Sequence, residues 1–144
     1  MLYKEIKEEY NNILNNTKIL FVIISFSQND FDEQLEENLK KYNVKSDDLV
    51  CVNGHIFYLK KDWQKIKEAL TRKEKRIREE VIPNAEELKK AFIYEMHNHE
   101  YIISEDMHTI LKKLFLSMDD YNTNENIKNI YDEAEQKYFD DYDN

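Results

Sequence analysis

The sequence predicts an α+β fold: a small antiparallel sheet of about three strands, one hairpin among them, packed with about six helices. Three observations point there. Apolar residues recur at helical spacing in six separate stretches. The run Ile19-Leu20-Phe21-Val22-Ile23-Ile24 is apolar throughout, yet too short for a buried helix, and reads as a central strand. Two further apolar segments, Leu49 to Val52 and His55 to Leu59, flank Asn53-Gly54, the strongest short-range hairpin signal. A hairpin then occupies the place where a doubly wound fold would need a crossover.

Each element follows from local chemistry. Leu2, Tyr3, Ile6, Tyr10, Ile13 and Leu14 mark a first amphipathic helix that ends at Asn15-Asn16. After the strand over 19–26, the stretch Ser27 to Asp30 supplies the cap of a second helix carrying Phe31, Leu35, Leu39 and Tyr42. The one glycine of the chain, Gly54, sits where a hairpin turn requires positive φ. Trp63, Ile66 and Leu70 open a third helix that must stop before Pro83. Its stretch from Thr71 to Arg76 has no apolar residue and is expected to be solvated on all sides. Asn84 with Glu87 predicts a capping box for a fourth helix containing Leu88, Ala91, Phe92 and Met96. Ser104 is expected to cap a fifth, with Met107, Ile110, Leu111, Leu114 and Phe115; Ile127, Ile130, Tyr131, Ala134 and Tyr138 mark a sixth.

The 144 residues are read as one domain over 1–139 followed by an acidic, fraying tail over 140–144. The single cysteine, Cys51, lies in an apolar run and is expected to be a packed thiol in a reducing compartment. Charged first residues exclude a secretory signal, and the longest apolar run is far below the ~20 residues of a membrane span. A cytoplasmic protein is expected.

Charge is sorted along the chain. Formal net charge is -9, yet residues 60–78 hold nine Lys and Arg against three Asp and Glu, while residues 116–144 hold nine Asp and Glu against two Lys. Such segregation governs association rather than fold. The acidic stretch offers Asp119, Asp120, Glu125, Asp132, Glu133 and Glu135 as a protein-binding set that could imitate backbone phosphates. The basic stretch offers Lys65, Arg72, Lys73, Lys75 and Arg76 as an alternative set for gripping nucleic acid, against an overall pI near 5.0.

Catalytic patterns are sparse. His97 and His99 lie among carboxylates, but on a helix they would point ~200° apart, and no Cys or His-Glu-x-x-His spacing accompanies them. A small metal-dependent enzyme at these histidines is therefore the lesser alternative, with no metal and no cofactor expected. No Gly-x-Ser-x-Gly elbow exists, and one glycine cannot build a phosphate-cradling loop.

Phe26-Ser27, Phe31-Asp32-Glu33, the run Phe92-Ile93-Tyr94-Glu95 and the segment Asn98-His99-Glu100-Tyr101 together resemble a family of small proteins carried by phages and gut bacteria. The likeness spans most of the chain, which departs from the pattern in having a lone glycine at its hairpin. The resemblance implies a mobile-element origin and brings no activity with it. The expected function is a non-enzymatic interaction protein that inhibits a host nucleic-acid-binding protein or nuclease complex, in anti-CRISPR fashion, by charge complementarity. The alternative is a nucleic-acid-binding accessory protein using the basic helix.

Overall fold

The computed structural model describes residues 1–143. In chain order it contains α1 (Leu2–Asn16), β1 (Phe21–Val22), α2 (Gln28–Tyr42), a 3₁₀ turn (Ser46–Asp48), β2 (Leu49–Val52) and β3 (Ile56–Leu59). There follow α3 (Lys60–Arg76), a π-helical turn (Ile77–Val81), α4 (Ala85–Asn98), α5 (Tyr101–Ser104), α6 (Met107–Lys113), α7 (Met118–Thr123) and α8 (Glu125–Asp143). This is a small α+β fold. The chain groups into two compact units, Met1–Glu9 with Thr71–Asn144, and Tyr10–Leu70.

The first unit is helical and built around α4, which runs along α8 and meets α5 and α6. Its interior is one cluster that includes Tyr3, Ile6, Leu88, Phe92, Met96, Leu111, Tyr131 and Tyr138. The period of the buried residues explains the packing: Leu88, Ala91, Phe92, Glu95 and Met96 form one face of α4, and Ile127, Ile130, Tyr131, Ala134 and Tyr138 one face of α8. Helix α3 passes into the π turn, which buries Ile77 and Val81, and the chain then breaks at Pro83. Asn84 caps α4 by accepting from the Glu87 amide at 3.2 Å. The reciprocal half of the expected box is missing, since one Glu87 carboxylate oxygen is buried without a hydrogen-bond partner.

Three further expectations are corrected in this unit. The cap of α6 is Asp106, whose side chain accepts from the Thr109 amide, and not Ser104, which ends α5. The stretch from Thr71 to Arg76 is not solvated on all sides, because Lys73, Glu74 and Arg76 are half-buried. Helices α5 and α7 were not foreseen, and α5 is bracketed by Glu100 and Glu105 in the left-handed region. Helix α8 continues through Asp140–Asp143 of the expected tail, and Asn144 lies outside the described residues.

The second unit holds a three-stranded antiparallel sheet in the order β1-β3-β2. The Asn53-Gly54 turn forms as expected, with φ of 56° and 77° and the His55 amide donating to the Val52 carbonyl. Register pairs Phe57 with both Phe21 and Cys51, and Ile56 with both Val22 and Val52. The Phe21, Ile23 and Phe57 side chains make the core on one sheet face, with Phe31, Leu35 and Tyr42 of α2 packed against them.

The run over 19–26 is not a central strand. Only Phe21–Val22 pair, at the sheet edge, and β3 is central. The other face of the sheet is partly covered, with Tyr58 buried beside Trp63 and Val22 45% exposed, and past the end of β1 Ile24 is 75% exposed and Phe26 fully so. Cys51 is exposed too, not packed, because β2 is the opposite edge strand with a neighbour on one side only.

Candidate interaction surface

The acidic set gathers on α7 and α8. At ~100° per residue, Glu125, Asp132, Glu133 and Asp140 share an arc of α8 facing away from its buried stripe. All four are exposed, as is Asp119 on α7. Asp120 is half-buried because it closes a capping box with Ser117, accepting from the Ser117 amide at 2.8 Å. Between them, Asp120, Thr123, Asn124, Glu125, Asn126 and Asn129 line an open hollow of about 690 Å³. Glu135 belongs to the interior side: it accepts from the Tyr101 hydroxyl at 2.5 Å. Burial, and then that carboxylate, raises the Tyr101 phenol above its ordinary range. Asp132 is held by the Tyr121 hydroxyl at 2.7 Å and by Lys128, and Glu133 lies 3.9 Å from Lys89. The surface is thus acidic in excess while several of its carboxylates are oriented by neighbours.

Two members of the basic set, Lys65 and Arg76, are ion-paired. Arg76 donates to Glu9 at 3.0 Å and to Glu80 at 2.7 Å, and its bond to Glu80 holds that carboxyl below its usual range. Arg78 pairs with Glu74 and also donates to the Phe115 carbonyl. Lys65 meets Asp62 at 3.5 Å. Burial lowers the Lys73 ammonium, with Lys7 and Lys113 adding to the effect and Glu95 opposing it. Arg72 and Lys75 are exposed.

His97 and His99 are not brought together as ligands. His97 is exposed near the end of α4, its ring 4.9 Å from Tyr138 and 6.1 Å from Tyr142. His99 caps α4, and its Nε2 lies 3.1 Å from a Glu95 oxygen. Among the described residues no group of three or more His, Cys, Asp or Glu is placed to hold a metal.

Sequence reasoning missed Glu95, the one buried charged residue among those described. Its carboxylate accepts from the Tyr3 hydroxyl at 2.9 Å and pairs with Lys7, so two turns of α1 are tied to α4. Burial and the adjacent carboxylate push the Tyr3 phenol far above its ordinary range. The signal was present, since Glu95 falls on the Leu88–Phe92–Met96 face, a position a charge occupies only when paired. Lys7 also sits 5.4 Å from the Tyr94 ring centre.

An α+β chain with a sealed helical unit and an acidic outer helix is the class these features define. The chain belongs to DUF7659, a family of unknown function, whose pattern matches residues 2–137. No curated protein and no solved structure matches it. Among the described residues no helix is long and apolar enough to cross a membrane.

Proposed function

We propose that the protein works by binding: the acidic α7–α8 face occupies the basic nucleic-acid-binding surface of another protein and blocks it. The observation that carries this reading is the exposed row Glu125, Asp132, Glu133 and Asp140 on the outer side of α8. It extends over ~22 Å of a rigid helix, roughly the length of six or seven phosphates along one strand. The Asp120–Glu125 hollow beside it suits a lysine or arginine side chain. Asp and Glu outnumber Lys and Arg by twenty-one to thirteen in the unit that bears this face, and by only nine to eight in the other. An anti-CRISPR-like inhibitor acting in the host cytoplasm, of phage origin, is the concrete form of this reading.

Displacement from immobilised DNA tests it. Host proteins are loaded on a DNA resin and eluted with increasing amounts of the purified protein. The expected result is release of a small set of nucleic-acid-binding proteins by the parent, and loss of release by Asp132→Asn/Glu133→Gln/Asp140→Asn. Charge complementarity acts mainly on encounter and specificity, so release should fall steeply with added salt. Equal release by the neutralised variant would overturn the reading. Retention of the parent itself on the DNA would favour the accessory protein instead.

A further inference from the structure

The hairpin turn of the Tyr10–Leu70 unit carries chemistry that its structural role does not use. Asn53 is the one asparagine of the chain followed by glycine, because Gly54 is the one glycine. Asn53, Gly54 and His55 are all exposed, and a Cβ on Gly54 would meet nothing within 4 Å. The amide that closes the turn is that of His55, donating to the Val52 carbonyl at 3.3 Å. Among the described residues the Gly54 N–H therefore has no acceptor. The His55 ring turns back onto the same peptide, its Nδ1 2.8 Å from the Asn53 carbonyl oxygen. A carbonyl only accepts, so Nδ1–H is the donor in this bond.

These features set an intramolecular reaction at one peptide. The side-chain amide carbon of Asn53 and the backbone nitrogen of Gly54 are held close by the chain itself, which replaces a bimolecular encounter. Two obstacles slow their union: a side chain on the following residue crowds the approach, and an amide nitrogen gives up its proton reluctantly. Glycine removes the first. His55 lowers the second, because the negative charge that develops as the Gly54 N–H ionises is shared with the Asn53 oxygen, where a donor already waits.

We propose that Asn53 is a self-modification site, converted by water to isoaspartate and aspartate through a cyclic imide, and that His55 accelerates the ring closure. The Gly54 nitrogen loses its proton to solvent and bonds to Asn53 Cγ. The Cγ–Nδ2 bond breaks, and Nδ2 takes a proton from solvent and leaves as ammonia. Water then adds to one carbonyl of the imide and opens it. Opening at Cγ gives aspartate; opening at the backbone carbonyl gives isoaspartate, in which the chain runs through Cβ and Cγ. The sum exchanges one amide and one water for one carboxylate and one ammonium, with nothing oxidised or reduced. Both products add a negative charge to the turn. Isoaspartate also lengthens the backbone between Val52 and Ile56, which pair across the hairpin. The inference stands apart from the proposed function, which uses the other unit.

Incubation of the folded full chain in ¹⁸O-labelled water at mildly alkaline pH tests it, with mass spectrometry of the peptide that contains residue 53. Electron-transfer fragmentation separates isoaspartate from aspartate. The parent should accumulate both products at residue 53, each carrying the label, ahead of every other asparagine of the chain. Asn53→Gln, whose longer side chain cannot close the same ring, should remove the signal. His55→Ala and His55→Phe, the second of which keeps a ring without the donor, should each slow the reaction ~5-fold, the rate equivalent of one ordinary hydrogen bond. Unfolded in guanidinium, the parent and both His55 variants should react at equal rates, because the ring meets the Asn53 carbonyl only in the folded turn. A folded parent that stays unmodified while the unfolded chain reacts would overturn the proposal. So would equal rates for the three folded proteins, a difference that persists after unfolding, or aspartate as the sole product.

Discussion

The Met1–Glu9/Thr71–Asn144 unit buries eighteen side chains in one apolar cluster, whereas the sheet of the Tyr10–Leu70 unit has a core of three. The first unit is strongly acidic; the second has a smaller core and is close to neutral. Long amphipathic helices can cover each other on every side, as α4 and α8 do. A three-stranded sheet has two faces: α2 packs on one while itself burying no residue completely, and on the other Tyr58 is buried beside Trp63 of α3. Excess charge falls mainly on the first unit, while both units expose large apolar side chains, Ile103 at 78% in the first and Phe26 fully in the second.

The sharpest way to break this comparison is to empty one position in each core. Phe92→Ala, on the fully buried face of α4, should cost ~3–5 kcal/mol, while Phe31→Ala, half-buried over the sheet, should cost ~1–2 kcal/mol. Chemical denaturation of both variants measures the contrast. Comparable losses would mean that the sheet is as tightly packed as the helices.

Next in size is the buried ion pair. Lys7→Met removes the lysine partner of the buried Glu95 carboxylate, leaving it Tyr3 and His99, and should cost ~2 kcal/mol or more. Lys7→Met combined with Glu95→Met should be milder than the single change, because it leaves no unpaired charge. A double variant that is less stable than Lys7→Met would show that the pair contributes more than it costs to bury.

Alkaline pH probes the same interior. Tyr3, Tyr101 and Tyr131 have phenols raised first by burial, with hydrogen-bonded or neighbouring polar groups adding to it. A group whose folded pKa lies above its unfolded one stabilises fully below the unfolded value of ~10 and loses that contribution as pH climbs. Each of the three should thus remove about 1.4 kcal/mol for every pH unit above ~10. In a spectrophotometric titration these phenols should ionise only with unfolding; reversible ionisation of all ten tyrosines near pH 10 in folded protein would contradict the burial.

Gly54→Val should cost on the order of 1 kcal/mol, because φ of 77° strains a β-branched residue even though a Cβ there meets nothing within 4 Å. Thermal unfolding measures it, and an unchanged midpoint would show that the turn relaxes freely. Smallest of all, Ile24→Ser/Phe26→Ser should leave the stability of the isolated chain within ~0.5 kcal/mol. A large loss would mean that these side chains pack inside their own chain.

The contrast between units also marks what could be read from the sequence. Helical periodicity exposed α4, α6 and α8, because each buries one continuous stripe. Asn53-Gly54 fixed the hairpin through its backbone requirement alone. The short helix α5 was illegible because its ends are non-glycine residues, Glu100 and Glu105, in the left-handed region, where local propensity gives no signal. The run over 19–26 misled because an apolar run marks preference for burial without saying whether a second layer exists to provide it. The acidic set was legible as composition, but the diversion of Glu135 to Tyr101 and of Asp120 to the α7 cap depends on tertiary neighbours. Lys7 and Glu95, eighty-eight residues apart, meet only through packing.

The division of labour between units is tested most directly by a single displacement titration from immobilised DNA with three proteins. These are the parent, the Asp132→Asn/Glu133→Gln/Asp140→Asn variant and the Ile24→Ser/Phe26→Ser variant. The account expects the parent and the serine variant to release the same bound proteins, and the neutralised variant to release none. Undiminished release by the neutralised variant, or loss of release in the serine variant alone, would contradict it.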